Sequence, residues 1–324
     1  MPSIGSNAKA LKRPFLSVVI RTQGKRIECL KDALLCLTAQ SDQDFEVILV
    51  QHGPKLSKAV QEVVDLQPET FKNKLHTVAV SGGKRAVPLN AGVKKALGAY
   101  VAFFDDDDLL FANWVEEFKK QSKSTPGHVL RSQVATLQVQ AEEWRLSGTM
   151  GLRTTGWPHA EYAKLFSRVD HLLVNHSPFM GLAFPRALFT NLGLSFDESL
   201  SVCEDWDFLL RSSSILPVSD VNYLTALYRR WQGQETSYTI HDEKEWRESE
   251  RSVISKLIHS DVVLRGTDIV RVRELLETEQ QLRQLHRLLH VEQTFLLMQQ
   301  SISWKITSPL RSIRTKLNWF FRKN

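Results

Sequence analysis

Tyr100-Val-Ala-Phe-Phe-Asp-Asp-Asp-Asp108 runs from five apolar residues straight into four acids. The apolar half reads as a buried strand, because short apolar runs bounded by polar residues belong to sheets covered on both faces. The acidic half cannot share that interior. Two carboxylates about 4 Å apart repel by roughly 4 kcal/mol at an effective dielectric of about 20, so a cation or a ring of donors must offset them. In open α/β sheets, ligands gather at the carboxyl ends of parallel strands. The junction therefore points to a divalent metal and a phosphate-bearing ligand. The alternative is a solvated acidic turn capping a helix that starts near Leu109. In an extended segment Asp105 and Asp107 would share one side, as a D-x-D pair of hard oxygen ligands suited to Mg²⁺ or Mn²⁺.

Three further apolar, β-rich runs precede this one, at 16–20, 45–50 and 75–80. The intervals read as helices, most clearly 26–40, where Ile27, Leu30, Leu34 and Leu37 share a face; 56–66 and 85–97 are weaker cases. Such alternation predicts an α/β fold with a mostly parallel sheet and helices on both faces. Past Asp108 the expected order is a helix over 109–120, one or two strands over 129–140, and a loop over 148–158. Strands at 179–184 and 221–228, a helix at 204–212 and a mobile loop at 233–241 follow. From about Glu243 the chain turns helical. Leu275, Leu282, Leu289 and Leu296 recur every seven residues, with Leu285 between them, which fits either an imperfect coiled coil or a surface helix docking an apolar stripe. The expected organisation is a leader (1–14), a main domain (15–240), a helical extension (241–300) and a basic tail (301–324).

With 324 residues, 42% hydrophobic and 24% charged, the chain can bury an ample core. Lys305, Arg311, Arg314, Lys316, Arg322 and Lys323 give the last 24 residues, which carry no acid, the whole net charge of +6. The rest is neutral, which argues against nucleic-acid binding by the main domain. No stretch approaches the roughly 18 apolar residues of a spanning helix. Cys29, Cys36 and Cys203 lack metal-ligand spacing and read as reduced, buried thiols.

A second set of acids stands in Glu204-Asp-Trp-Asp-Phe-Leu-Leu-Arg211. Read plainly, these are first-turn acids meeting a helix dipole, with Asp207 and Arg211 an i,i+4 ion pair. Read functionally, Asp205 is a general base for an attacking hydroxyl. Thr22, Gln23 and Arg26 follow the first strand, Gln51 and His52 the second, and Lys84 and Arg85 the third. All lie on the rim that carries the four acids, although as ordinary turns they need no function.

Together these pieces resemble the family 2 glycosyltransferases of GT-A fold. The resemblance rests on Leu16-Ser-Val-Val-Ile-Arg-Thr22 and on Leu89-Asn-Ala-Gly92, followed by Ala96, Gly98 and the 99–108 segment. It rests also on Pro185-Arg186 with Leu192-Gly193 and Phe196-Asp197-Glu198, and on the 204–211 motif; Tyr228-Arg229 matches a later element less closely. The resemblance implies an inverting, Mn²⁺- or Mg²⁺-dependent transfer from a nucleotide-diphosphate sugar, a UDP-sugar being favoured, to a glycan or lipid-linked hydroxyl acceptor. It implies Asp105 and Asp107 as metal ligands and Asp205, beside Glu204, as the catalytic base. Thr22, Gln23, Arg26, Gln51, Arg85, Asp105 and Asp106 would line the nucleotide site, and Trp206 the acceptor side. Gln51 stands where the family often has an acid, and Trp231 where it often has a histidine, His241 lying further on.

The tail Ser301-Ile-Ser-Trp-Lys-Ile-Thr-Ser-Pro-Leu-Arg311 resembles a C-terminal element of bacterial surface-polysaccharide transferases. Leu310, Ile313, Leu317, Phe320 and Phe321 would form one face of a basic amphipathic helix suited to an anionic membrane surface. A cytoplasmic protein, peripheral on the inner membrane and able to self-associate through 268–300, is the expectation. The rivals are a sugar-phosphate nucleotidyltransferase and a non-catalytic membrane-associated scaffold.

Overall fold

Among the described residues nine strands form one sheet, one end of which is four parallel strands in the order β3-β2-β1-β4. These are β1 (Leu16–Thr22), β2 (Phe45–His52), β3 (Leu75–Val80) and β4 (Tyr100–Asp105). The four apolar runs thus become the four strands expected of them. The computed structural model describes residues 13–144, 149–232, 242–259 and 262–314. Most of the expected leader, the 233–241 loop with His241, and the tail residues from 315 onward lie outside these, Lys316, Leu317, Phe320, Phe321, Arg322 and Lys323 among them.

Side chains alternate across the parallel strands, so each face of the sheet has its own core. On one face Val18 and Ile20 pack with Leu30, Ala33, Leu34 and Leu37 of α1 (Ile27–Thr38) and with Val60 and Val63 of α2 (Lys58–Asp65). On the other, Val19, Val101 and Phe103 meet an aromatic cluster, in which Phe103 stacks on Phe179 at 4.5 Å and Phe196 on Phe208 at 4.3 Å between centroids. Ahead of β3 stands the short α3 (Glu69–Lys72), and between β3 and β4 α4 (Ala86–Val93). The glycine expected before β4 has a steric reason: a Cβ on Gly98 would lie 2.6 Å from the Ser17 nitrogen. The Gly98 N–H donates to Ser17 Oγ at 2.8 Å, and Ser17 donates to the buried Glu46 at 2.6 Å.

Beyond β4 the connectivity departs from the sequence expectation. Leu109 and Leu110 form a two-residue strand, β5 (Leu109–Leu110), paired with a distant strand; helix α5 (Trp114–Ser124) starts only at Trp114. The segment 129–140 is part of one long strand, β6 (Val129–Trp144). The expected loop at 148–158 contains β7 (Thr149–Thr154), antiparallel to β6. A short helix α6 (Arg168–His171) follows, then a 3-10 turn (Phe179–Gly181) leading into β8 (Leu182–Pro185), so only the second half of 179–184 is strand. After α7 (Ala187–Thr190) and α8 (Glu204–Ile215), β9 (Val218–Gln232) closes the sheet between β6 and β5. Helix α9 (Glu243–Ile258) ends this first unit, which runs to Val263.

The second unit begins at Leu264 and contains α10 (Gly266–Gln300) and α11 (Ile302–Ile306). Leu282, Leu289 and Leu296 are exposed on α10. Trp304 of α11 packs edge-on against Phe295, and Arg311 stacks 3.7 Å over the Trp304 ring. Among the described residues no helix is long and apolar enough to cross a membrane.

Candidate active site

The parallel register of β1 and β4 sets Arg21 beside Asp105 at the carboxyl end of the sheet. Arg21 grips that acid with two nitrogens, Nε to Oδ1 at 3.1 Å and Nη2 to Oδ2 at 2.9 Å. Its third nitrogen, Nη1, donates to Glu204 Oε1 at 2.9 Å and to the Arg85 carbonyl at 3.1 Å. Arg85 Nε reaches the same Glu204 oxygen at 2.9 Å. Burial works to raise the pKa of Glu204, yet Arg85 and Arg21 hold it down at about 2. A carboxylate so held is a poor proton acceptor; it fixes two arginines and the start of α8. Burial likewise opposes the charge on Arg21, and Asp105 and Glu204 overcome it, lifting its pKa above the ordinary guanidinium value.

The four acids do not continue as a strand. The Asp108 N–H bonds back to the Asp105 carbonyl at 3.4 Å, and the turn gives each carboxylate its own partner. Strand alternation therefore does not relate Asp105 and Asp107, although the two stay close enough for the Asp105 charge to act on Asp107. Asp106 accepts the Thr22 hydroxyl in a close contact, and Thr22 Oγ1 accepts the Gly24 N–H at 3.0 Å. Asp107 pairs closely with Arg26 and accepts the Trp231 indole N–H at 3.2 Å, and the Arg26 guanidinium lies 4.5 Å over the Trp231 ring. Asp108 is buried and accepts the Arg229 backbone N–H at 2.8 Å. Since β5 follows and α5 starts at Trp114, the helix-capping alternative for these acids falls away.

Negative charge stays in excess here. Asp105 to Asp108, Glu204 and Asp205 are six acids, paired with the guanidiniums of Arg21, Arg26 and Arg85, while the Arg229 guanidinium is taken by Asp32 at 2.8 Å. Burial, and then the Asp107 charge, push Asp106 up to about 7 and Asp108 well above its ordinary value. Burial, and then Asp105, raise Asp107. Hard oxygen donors with surplus negative charge suit a small dication. Among the described residues no three His, Cys, Asp or Glu side chains converge as a ready cage.

Asp205 faces a cleft of about 310 Å³ that Arg21, Arg85, Asp105 and Trp206 also line. Cys203, just before α8, adopts the left-handed conformation (φ 66°), unique among the described non-glycine residues. Such a residue is strained by roughly 1–2 kcal/mol, and it stands where the chain enters α8 just ahead of Glu204 and Asp205. Burial, and then the neighbouring Glu204 charge, raise Asp205 to about 6. Its Oδ1 accepts the Trp206 N–H at 2.8 Å, and Oδ2 accepts the Asn175 side-chain amide at 3.2 Å.

Asn175 is itself held. Its Oδ1 accepts the Ser177 N–H at 3.0 Å. The Ser177 hydroxyl accepts from buried Arg131 Nε at 2.7 Å and meets His171 Nε2 at 2.8 Å. His171 Nδ1 lies 2.7 Å from the Ser167 carbonyl, to which it can only donate. Burial lowers His171 to about 4, so the ring is neutral at pH 7 and Nε2 takes the Ser177 proton.

Of the other residues expected at the site, Thr22 is buried on the rim and Gln23 is exposed. Gln51 is buried; its Oε1 accepts the Ser57 N–H at 2.8 Å, tying down the approach to α2. His52 donates to the Gly82 carbonyl at 3.0 Å. Trp206 is buried, its indole N–H donating to the His171 carbonyl at 2.7 Å. Asp207 and Arg211 form the expected i,i+4 pair at 2.6 Å. Sequence reading missed Arg21 and Asn175. A lone arginine near the end of an apolar strand was the available signal for the first, since a buried charge needs a partner. Asn175 lies in the irregular 155–178 region and gave none.

Residues 17–188, more than half of the chain, match the profile of Glycosyl transferase family 2. Glycosyltransferase GlyG of Streptococcus pneumoniae serotype 4 is 25% identical over 304 residues, covering 86% of this chain and 92% of that protein. An uncharacterised glycosyltransferase of Methanocaldococcus jannaschii is 24% identical over 202 residues, spanning 62% of this chain and 65% of the relative, just under two thirds of its length. Among solved structures, S. aureus TarS 1-349 in complex with UDP-GlcNAc superposes with a TM-score of 0.57 at 18% identity, covering 76% of this chain and 68% of that one. TarS 1-349 in complex with UDP gives a TM-score of 0.53. The sheet and its flanking helices are thus a GT-A fold.

Proposed function

This chain belongs to glycosyl transferase family 2, and from that footing we propose that it moves a sugar, with inversion, from a nucleotide-diphosphate sugar to a hydroxyl acceptor in surface polysaccharide or lipopolysaccharide synthesis. The observation that carries the reading is Asp205. It is a cleft-facing carboxylate, ionised at neutral pH yet raised to about 6, set by Asn175 and lying next to the Arg21–Glu204–Arg85 hub. A base should have a pKa near the working pH, so that it is ionised and still takes a proton. Asp205 accepts the acceptor hydroxyl proton as that oxygen attacks the sugar's anomeric carbon, and the nucleoside diphosphate leaves from the opposite face. Glu204 holds Arg21 and Arg85 and is not itself the base.

Thr22, Gln23, Arg26, Gln51, Arg85 and Asp106 form the donor side of this reading, and Trp206 the acceptor side. The UDP-bound TarS structures favour a uridine nucleotide. Asp105 and Asp107 would hold Mn²⁺ or Mg²⁺, which when bound offsets charge on the departing diphosphate. The surplus of acids on this turn fits such an ion. The basic tail, in which Leu310 and Ile313 are exposed, would hold the enzyme on the anionic cytoplasmic face of the membrane, and the exposed leucines of α10 would serve self-association.

The test is Asp205→Asn. Thermal stabilisation by a UDP-sugar with Mn²⁺ should persist, because ligand binding raises apparent stability by mass action. Transfer should fall by about 10²–10⁴-fold. Full transfer in that variant would remove Asp205 from the mechanism.

A further inference from the structure

The cleft beside Asp205 has a wall contributed from well outside residues 17–188. Trp246 and Glu250, one turn apart on α9, line the same cleft as Asp205 and Trp206. Helix α9 is fixed there by two independent means. Lys256 reaches Asp197 Oδ2 at 2.5 Å and the buried Asp207 Oδ1 at 2.8 Å. Val253 is buried in a cluster with Leu200, Val202, Trp206 and Leu210. A wall held by both charge and packing can set the shape of a binding site.

The chemistry of this wall is one-sided. Neither Asp205 nor Glu250 has an ion pair among the described residues. The described cations lining the cleft are Arg21 and Arg85, and both are engaged by Glu204, Arg21 also by Asp105. A carboxylate only accepts hydrogen bonds, so it favours O–H and N–H groups. A second anion would meet like charge, which binding sites use to reject the wrong partner. Trp246, with Tyr162 and Trp206, adds the apolar ring surface that covers the C–H face of a sugar.

We propose that Trp246 and Glu250 of α9 form the acceptor-sugar subsite, and that it selects an uncharged sugar over a phosphorylated or uronic-acid one. This rests on the reading of Asp205 as the base, since the accepting hydroxyl must lie between that residue and α9. The distinguishing experiment is ligand-observed NMR on the full chain with methyl β-D-glucopyranoside and methyl β-D-glucuronide, alongside thermal shift with UDP.

The glucoside should bind at least tenfold more tightly than the glucuronide. Glu250→Gln, a change on an exposed helix position, should narrow that ratio below threefold. Trp246→Ala should weaken the glucoside at least tenfold, and both variants should keep the UDP shift. Equal or tighter binding of the glucuronide, an unchanged ratio in Glu250→Gln, or no glycoside binding at all would overturn the subsite. Selectivity retained without any UDP shift would support the subsite and count against the nucleotide-sugar donor instead.

Discussion

Arg21 and Asp105 are register partners on neighbouring parallel strands, and the arginine fork meets both oxygens of the acid while its remaining nitrogen holds Glu204. One guanidinium thus joins the first strand, the acidic turn and the helix that carries Asp205.

Arg21→Met should strip Asp105 of its ion-pair partner and leave Glu204 with Arg85 alone. Breaking a buried pair by removing one partner costs about 3–5 kcal/mol, and urea unfolding should show a loss of that order. Arg21→Lys should recover only part of it, because a point charge cannot reproduce the bidentate fork.

Glu204 gives the linked pH dependence. Its folded-state pKa is lowered to about 2 from an ordinary 4.5, so the stability it contributes is fully present above pH 4.5 and is lost as pH falls through 2. In Glu204→Gln the deficit relative to wild type should be large at pH 7 and should shrink as pH drops below 4.5. Denaturant titrations at pH 7 and pH 3 measure the full deficit and its partial loss between the two pKa values.

Asp205, whose pKa is shifted upward instead, sets the acid limb of the activity profile. With the carboxyl raised to about 6, kcat/KM should fall about tenfold per pH unit below 6. Asn175→Leu removes a donor to the ionised form, so the acid limb should move to higher pH. A merely structural defect would lower the whole profile without moving its inflection, which the pH–rate curve resolves.

Gly98→Ala would place a methyl 2.6 Å from the Ser17 nitrogen, in backbone that cannot yield cheaply. Overpacking of this kind costs about 1–3 kcal/mol or more, and the melting temperature should fall by several degrees without a change in UDP affinity.

The parallel part of the sheet and the position of the acids were legible because each rests on local signals, continuous apolar runs and the rule that ligands gather at strand ends. What failed depended on partners far along the chain. Leu109 and Leu110 look helical locally, but pair with Ala226 and Leu227 of β9. The D-x-D spacing suggests one shared face, yet the turn closed by Asp108 sends Asp105 to Arg21 and Asp107 to Arg26 and Trp231. Trp231 reads in the sequence as a missing histidine, and only the fold shows its indole N–H on Asp107. Arg21 and Asp105 are 84 residues apart, so their meeting needs the β1–β4 register, which no local pattern contains.

Lys256 fastens α9 to Asp197 and Asp207 through its single ammonium group. A helix held by this ammonium and by one apolar cluster, both on the acceptor side of the cleft, can be exchanged between related enzymes while the donor-side strands stay as they are. Grafting a different α9 that keeps Lys256 and the Val253 contact would be a direct way to redirect acceptor choice, leaving the nucleotide half of the protein untouched.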